Sequence, residues 1–286
     1  MNGILVINKD LGYTSRDVVN IVSKTLGTKK VGHTGTLDPG ATGVLVVCVG
    51  KALKVCELLT NHDKEYIAGI TLGIETDTLD MDGNIIKDIA VDIDDKMIIE
   101  TVNSFVGKYN QEVPKYSAVK VNGKKLYEYA RKNIPVKLPS KEVEIKKIEI
   151  IDDIVHKDGK VFFKIKCTVS KGTYIRSLVR DIGNKLGVPS VMNSLVRTRH
   201  GNFTIDNSYS IDDIKNNNYQ LIDIVDAFPN IPLVKVNDDI AFKIKNGVVL
   251  DKFFGSEMAF IVDNNDNLLA LYKLDDNKCR TYKMFL

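Results

Sequence analysis

A short glycine-rich stretch, GHTGTLDPGATG at residues 32–43, holds a single carboxylate, Asp38, directly before a proline. Glycine permits positive φ and the close approach of a ligand, and Pro39 stiffens the loop behind the acid. The stretch matches neither common glycine-rich phosphate-binding pattern. A turn between two strands would also explain the glycines. A concentration of polar side chains favours a site instead: His33, Thr34, Thr36, Asp38 and Thr42.

Three further segments carry charged groups that could take part in chemistry or binding. SKGTYIRSLVRD at 170–181 puts Arg176 beside the apolar face of a predicted helix, where it can reach solvent or pair with a buried acid. KYSAVKVNGKKLYEYARK at 115–132 interleaves basic residues with tyrosines, as in a nucleic-acid-binding surface or a solvated helix face. ETDTLDMDG at 75–83 lacks the spacing of a calcium loop and is interpreted as an acidic turn.

The composition is that of an ordinary globular protein, with 44% hydrophobic and 27% charged residues in 286. No apolar run reaches the ~20 residues of a membrane span, and the amino terminus does not resemble a signal peptide. We therefore expect a cytoplasmic protein without a membrane segment. The four cysteines form no CxxC pair and have no nearby histidine, so we expect neither a disulfide nor a metal site.

Positive charge is concentrated in the middle of the chain. Residues 101–200 hold 21 Lys and Arg against 9 Asp and Glu, whereas the counts are 10 against 15 in residues 1–100 and 9 against 13 in residues 201–286. A net charge of +12 in one third favours a polyanionic partner, because neutralised phosphates release counterions. Solvated lysines on surface elements explain the charge equally well.

The elements that must position these groups follow from periodicity and predict a mixed α/β (α+β) protein. Strands are expected at 3–9, 44–49, 66–73 and 161–169, and helices at 14–27, 51–59, 94–107, 123–133 and 172–187. Beyond about residue 230 the pattern changes to short β runs with Asn and Asp turns. We therefore predict two domains, one at 1–229 that contains the motifs and a small β domain at 230–286.

Five motifs occur in an order that identifies a family. GHTGTLDPGATGVL at 32–45, KEY at 64–66, SAVK at 117–120, SKGTYIRSL at 170–178 and LVRTRHGNF at 195–203 together resemble the TruB family of tRNA pseudouridine synthases. The resemblance covers roughly residues 1–205. It differs at Asp10, which stands where the family's amino-terminal KPxGxTS motif has proline, and Lys9 in that motif has either a structural or a functional role.

The resemblance implies that uridine 55 in the T-loop of tRNA is isomerised to pseudouridine without cofactor or metal. Asp38 matches the catalytic aspartate, which either attacks C1′ of the ribose or removes a ribose proton. Arg176 matches the arginine that pairs with it, and a two-point contact would keep the acid ionised. Tyr66 matches the tyrosine that stacks on the flipped-out uracil and is a candidate to take the C5 proton.

Other implied roles concern substrate binding. His33 matches a histidine that contacts the displaced nucleotide, whereas Tyr174 and Leu195 match positions that line the base pocket. The implied fold is the pseudouridine synthase fold, a mixed and largely antiparallel sheet with flanking helices, followed by a PUA-like RNA-binding β domain. The implied partner is the T-arm of tRNA, bound by a monomer.

Two alternatives stay open at this point. A non-catalytic tRNA-binding or tRNA-folding protein would keep the basic middle third but would not need Asp38, Tyr66 and Arg176 together. A glycosidase would use Asp38 but would also need a second carboxylic acid, which no motif supplies.

Overall fold

The computed structural model describes residues 1–286 and contains one large sheet, one small sheet and two short hairpins. The strands are β1 Gly3–Lys9, β2 Val31–His33, β3 Ala41–Val49, β4 Lys64–Leu72, β5 Ile74–Thr76, β6 Ile85–Asp88, β7 Gly107–Glu112, β8 Lys120–Val121, β9 Lys124–Lys125, β10 Ser140–Ile150, β11 Val155–Lys157, β12 Lys160–Val169, β13 Ser190–His200, β14 Phe203–Thr204, β15 Leu233–Lys235, β16 Leu250–Asp251, β17 Met258–Val262, β18 Leu268–Asp275 and β19 Lys278–Met284.

Seven α-helices flank these strands. They are α1 Ser15–Thr25, α2 Cys56–Thr60, α3 Asp95–Asn103, α4 Leu126–Arg131, α5 Ile175–Leu186, α6 Ile211–Lys215 and α7 Asp238–Lys245, and a 3₁₀ turn, Gly50–Val55, leads into α2. None of the helices has the length and apolar composition of a membrane span.

The large sheet has the strand order β1-β3-β13-β4-β12-β10-β7, with β2, β11 and β14 paired at its borders. All its pairs are antiparallel except β13 with β3, which is parallel. This confirms the expected mixed, largely antiparallel sheet. The pairing of β3 with β13 brings the strand that follows the glycine-rich loop beside the strand that carries LVRTRH.

Strand β3 is apolar throughout because both of its faces are buried. Val44, Val46 and Cys48 pack into one hydrophobic cluster, whereas the alternating residues Leu45, Val47 and Val49 pack into another with α1 and α6. In contrast, β12 alternates buried and more exposed residues, as predicted for a strand with one buried face. A third cluster forms where α3 and α5 pack on β4, β10 and β12.

Helix ends follow the local sequence. Thr14 caps α1 and forms a capping box with Asp17, while Gly187 ends α5 in a left-handed conformation. The predicted helices at 94–107, 123–133 and 172–187 are shorter than expected: the first ends at Asn103, the second follows the β8–β9 hairpin, and the third begins only at Ile175.

The carboxy-terminal residues form a five-stranded sheet in the order β15-β17-β18-β19-β16. Helix α7 packs on this sheet through Ala241 and Ile244 and was not expected from the short β runs. One face of the sheet also joins a cluster of the large sheet, where Phe260, Leu271 and Phe285 pack with Phe228 and Val46. Residues 230–286, here called the tail, therefore share part of their apolar core with the rest of the chain.

Candidate active site

A cleft of about 780 Å³ opens beside the glycine-rich loop. Its walls come from loop residues 34–38, from β4 and β13, from the start of α5 and from the segments 116–118 and 170–173. Five of the six residues singled out from the sequence line it: Asp38, Tyr66, Tyr174, Arg176 and Leu195. The fold thus gathers side chains that are far apart along the chain into one cavity.

Asp38 is paired with Arg176. Nη2 of the arginine lies 2.9 Å from Oδ2 of Asp38, whose side chain is 43% exposed, whereas the arginine side chain is only 9% exposed. The guanidinium does not make the predicted two-point contact with Asp38, because its Nη1 contacts Oδ2 of Asp80 at 3.2 Å instead. Two backbone carbonyls, those of Thr78 and Tyr116, accept its remaining hydrogen bonds.

Asp80 was not expected at the site, since its segment was interpreted as an acidic turn. That turn joins β5 and β6, and a bridge between Asp80 and Met192 places it against the large sheet. Oδ1 of Asp80 accepts hydrogen bonds from the Thr78 hydroxyl and the Asp82 amide, which fix the carboxylate. Asp80 is thus a second carboxylic acid near Asp38, as a glycosidase would need, but it is paired with Arg176.

The backbone on both sides of Asp38 is held by the amino-terminal segment. Ser15 Oγ accepts from the Leu37 amide and donates to the Leu37 carbonyl, at 2.8 and 3.1 Å. The Pro39 carbonyl accepts from the Gly12 amide at 3.0 Å and from Lys9 Nζ at 3.5 Å. Lys9 is completely buried, and burial lowers its pKa although Asp10 and Asp38 oppose that shift. The structure therefore places Lys9 as a support of the loop.

The motif LVRTRH supplies a second set of supports. Arg197 is buried and donates from Nε to the Val44 carbonyl at 2.6 Å and from Nη2 to the Gly35 carbonyl at 3.1 Å. Beside it, Gly43 has φ +100°, and a Cβ there would lie 2.2 Å from the Arg197 carbonyl oxygen. Only glycine permits this approach of the two strands.

His200 completes these supports as a neutral side chain. Its Nε2 lies 2.8 Å from the Leu59 carbonyl, which can only accept, so Nε2 carries the proton and Nδ1 accepts from the Thr34 hydroxyl at 3.3 Å. Burial, and then the charges of Lys64 and Arg197, lower the pKa of His200 to about 2. The start of the glycine-rich loop is thus fixed by an uncharged hydrogen-bond bridge.

Tyr66 and Leu195 face the cleft from two paired strands. Tyr66 on β4 is 8% exposed, and Leu195 on β13 is 9% exposed. The strand pairing places Tyr66 opposite Arg197 and Leu195 opposite Ala68, so both side chains project from the same region of the sheet. An aromatic and an aliphatic surface suit a flat ring held between them.

Tyr174 lies at the amino-terminal end of α5, and its backbone is held by a buried amide. The Tyr174 N–H donates to Gln111 Oε1 at 2.8 Å, and Gln111 Nε2 donates to the Tyr174 carbonyl at 3.1 Å. The same Nε2 donates to the Tyr109 hydroxyl at 2.6 Å. Tyr174 makes no side-chain cap for α5, so this contact fixes the first turn of the helix that carries Arg176. Burial raises the pKa of Tyr174.

His33 is the predicted site residue that the structure does not bring into the cleft. It lies at the end of β2, and it does not line the cavity. Its Nδ1 is buried without a hydrogen-bond partner, and burial lowers its pKa. A contact between His33 and a displaced nucleotide remains a prediction.

Known proteins resemble the chain along nearly all of its length. The model of the TruB family pseudouridylate synthase amino-terminal domain matches residues 23–175. The chain belongs to the TruB family. A tRNA pseudouridine synthase B from Bacillus subtilis is 42% identical over 259 residues, which cover 88% of the chain and 84% of that protein. Another, from Caldanaerobacter subterraneus, is 40% identical and covers 100% of the chain and 99% of that protein.

Solved structures show the same fold. A Cbf5-Nop10-Gar1 complex superimposes with a TM-score of 0.70 at 26% identity, covering 99% of the chain and 85% of the matched protein. An H/ACA ribonucleoprotein bound to a substrate RNA gives a TM-score of 0.69 at 24% identity, with the same coverage. The chain thus has the pseudouridine synthase fold with a PUA-like carboxy-terminal sheet, and it is a pseudouridine-forming enzyme that acts on RNA.

Proposed function

We propose that this TruB-family enzyme converts uridine 55 in the T-loop of tRNA to pseudouridine, with Asp38 acting on the ribose. The observation that carries the proposal is the Asp38 carboxylate, which contacts Arg176 at the wall of a cleft also lined by Tyr66, Tyr174 and Leu195. The names of the curated relatives support tRNA as the substrate.

The reaction needs no co-reactant, because its atoms balance within one nucleotide. The bond between N1 of uracil and C1′ breaks, the base turns, and a bond forms between C5 and C1′ while the C5 proton is lost and N1 gains one. An ionised Asp38 can take part by attack on C1′ or by removal of a ribose proton. Arg176, whose Nη2 lies 2.9 Å from the carboxylate, holds it in position. Tyr66 stacks on the extruded base and accepts the C5 proton.

The proposal also assigns a division of labour within a monomer that works in the cytoplasm, where tRNA matures. The chemistry belongs to residues 1–229, since every residue that lines the cleft lies between Thr34 and Arg197. Residues 230–286 add contacts to a part of the tRNA distant from the T-arm. Most phosphate contacts come from residues 101–200, where the positive charge is concentrated.

A single incubation separates the proposal from its alternatives. An unmodified tRNA transcript treated with the enzyme should gain pseudouridine at position 55 only, and a transcript with cytidine at that position should gain none. Unchanged RNA would instead support a non-catalytic RNA-binding protein, and released uracil would support a glycosidase.

Asp38→Asn tests the role of the acid. The amide keeps the shape of the side chain but lacks its basicity and nucleophilicity, so turnover should vanish while tRNA affinity stays within about threefold. Asp82→Asn, at an exposed position of the nearby turn, serves as the control and should keep normal turnover. Activity of Asp38→Asn within about tenfold of wild type would exclude Asp38 from the chemistry.

A further inference from the structure

One cationic side chain of the cleft, that of Lys141, has no hydrogen-bond or ion-pair partner in the protein. Five cationic side chains line the cavity: Lys64, Lys141, Lys171, Arg176 and Arg197. Four of them contact a carbonyl, amide or carboxylate oxygen of the chain. The ammonium of Lys141 makes neither a hydrogen bond nor an ion pair with any protein group. Its charge is therefore available for a ligand.

The surroundings of Lys141 strengthen this conclusion. The side chain is half-buried, and Nζ lies 4.5 Å from the centroid of the Tyr174 ring. The loop before α5 runs close by, since a Cβ on Gly172 would lie 2.7 Å from Nζ. The neighbouring carboxylate, Glu142, contacts Lys108 at 3.3 Å instead. A partly desolvated ammonium without a counter-charge is unfavourable in the free protein, and an anionic oxygen would remove that cost.

We propose that Lys141 binds a phosphate group of the RNA backbone next to the target uridine. The argument rests on the proposed role of Tyr174 in the base pocket, because the ammonium lies over that same ring. When a base enters the pocket, its phosphates stay at the rim. A lysine suits this position, since its ammonium binds a phosphate as a point charge from many directions. Burial also lowers the pKa of Lys141, and a bound phosphate would reverse that shift.

The first test compares three variants on a T-arm hairpin. Lys141→Met keeps the length and apolar stem of the side chain but removes the charge, whereas Lys141→Arg keeps the charge. Lys147→Met is the control, because Lys147 lies on the same strand, outside the cleft, where it pairs with Glu149. Each variant is first compared with wild type by thermal unfolding.

We expect Lys141→Met to weaken hairpin binding about tenfold, as for the loss of one charge-assisted hydrogen bond. The slope of log affinity against log salt should become less negative by about 0.7, the value for one phosphate of a single strand. Lys141→Arg and Lys147→Met should bind like wild type. The single-turnover rate at saturating hairpin should stay within about threefold, since the phosphate does not react.

The second test identifies the ligand directly. Hairpins are prepared in which the phosphate on the 5′ or the 3′ side of the target uridine is replaced by a neutral methylphosphonate. At one of the two positions the replacement should weaken binding to wild type but leave binding to Lys141→Met unchanged. Additive losses at both positions, or an unchanged salt slope in Lys141→Met, would overturn the proposal.

The experiment also separates this proposal from the function on which it rests. If the T-arm is not the substrate, wild-type enzyme itself will fail to bind or modify the hairpin. If only the role of Lys141 is wrong, wild type will modify the hairpin normally and the two replacements will act independently.

Discussion

Asp38 and Asp80 contact opposite nitrogens of one guanidinium, that of Arg176, at 2.9 and 3.2 Å. The two carboxylates differ in environment, since the Asp38 side chain is 43% exposed toward the cleft and that of Asp80 only 15%. Asp80 is also fixed by the hydroxyl of Thr78. The arrangement therefore anchors the arginine on its inner side and leaves its outer side to orient Asp38.

Asp80→Asn should reveal this anchoring. The amide keeps the size of the side chain but loses the charge that holds Nη1, so Arg176 should orient Asp38 less well. We expect the single-turnover rate to fall about 10- to 100-fold, with tRNA affinity nearly unchanged, because small misplacements of reacting groups have effects of this size. Rapid quench kinetics on tRNA would measure it, and a rate equal to wild type would show that Asp38 needs no such anchor.

Tyr66→Phe separates the ring of this tyrosine from its hydroxyl. Stacking on the base should persist, so the variant should bind tRNA normally but fail to complete the reaction if the phenol accepts the C5 proton. Tyr66→Leu should in addition lose base stacking, which contributes roughly 1 to 3 kcal/mol. Binding and single-turnover assays of both variants provide the comparison, and full activity in Tyr66→Phe would remove the proton-transfer role.

Gln111→Met removes the amide that holds the Tyr174 backbone. The matched control is Tyr109→Phe, which removes another partner of the same amide but leaves both contacts with Tyr174. We expect Gln111→Met to lower the rate at saturating tRNA about tenfold or more relative to this control, since it frees the first turn of α5. Melting temperatures measured alongside show whether the two variants are equally destabilised. Equal rates in both would assign Gln111 to stability alone.

His200 should make the fold sensitive to mild acid. Its pKa is 6.5 when unfolded and about 2 when folded, so below pH 6.5 only the unfolded state takes up its proton. The unfolding free energy should therefore decrease as the pH falls through 6.5, with a slope from this residue alone that approaches about 1.4 kcal/mol per pH unit by about pH 5.5 and persists to pH 4. Urea titrations of wild type and His200→Gln across that range measure the effect as a difference in slope. Parallel pH dependences in the two proteins would contradict it.

Phe260→Ala tests the contact between the tail and the remainder of the chain. Phe260 is fully buried, and its ring lies 5.7 Å from that of Phe228 and 6.3 Å from that of Phe285. We expect Phe260→Ala to lower the free energy of unfolding by about 3 to 5 kcal/mol, as is typical for truncation of a buried phenylalanine. Calorimetry should show one cooperative transition shifted as a whole. If the unfolding temperature of the large sheet does not change, the two parts unfold independently.

Truncation after residue 229 also tests the contact between the tail and the remainder of the chain. The shorter chain exposes Phe228 and its neighbours, so its melting temperature should fall. Where it remains folded, it should modify a T-arm hairpin as well as full-length enzyme does and show a raised KM for whole tRNA.

Much of this molecule could be predicted from the sequence because the signals are local. Periodicity identified β1, β12 and α5, and the motif order identified the residues of the cleft. The sequence analysis did not identify Asp80 or Gln111 as site residues. Each contacts a residue at the start of α5, far along the chain, and no sequence motif links either of them to that helix. His33 shows the converse problem. The motif match assigns it to substrate binding, but a motif does not show whether a side chain lies in the cleft, and that of His33 does not line it.

The double burial of β3 restricts how the chain can change in length during evolution. Strands β2 and β3 pair as a hairpin, with His33 opposite Val47 and Val31 opposite Val49, and the loop with Asp38 connects them. One residue added within β3 would exchange the side chains that face the two clusters. Length variation among descendants of this sequence should therefore be rare within β3, Ala41–Val49, and common in exposed turns such as 151–153.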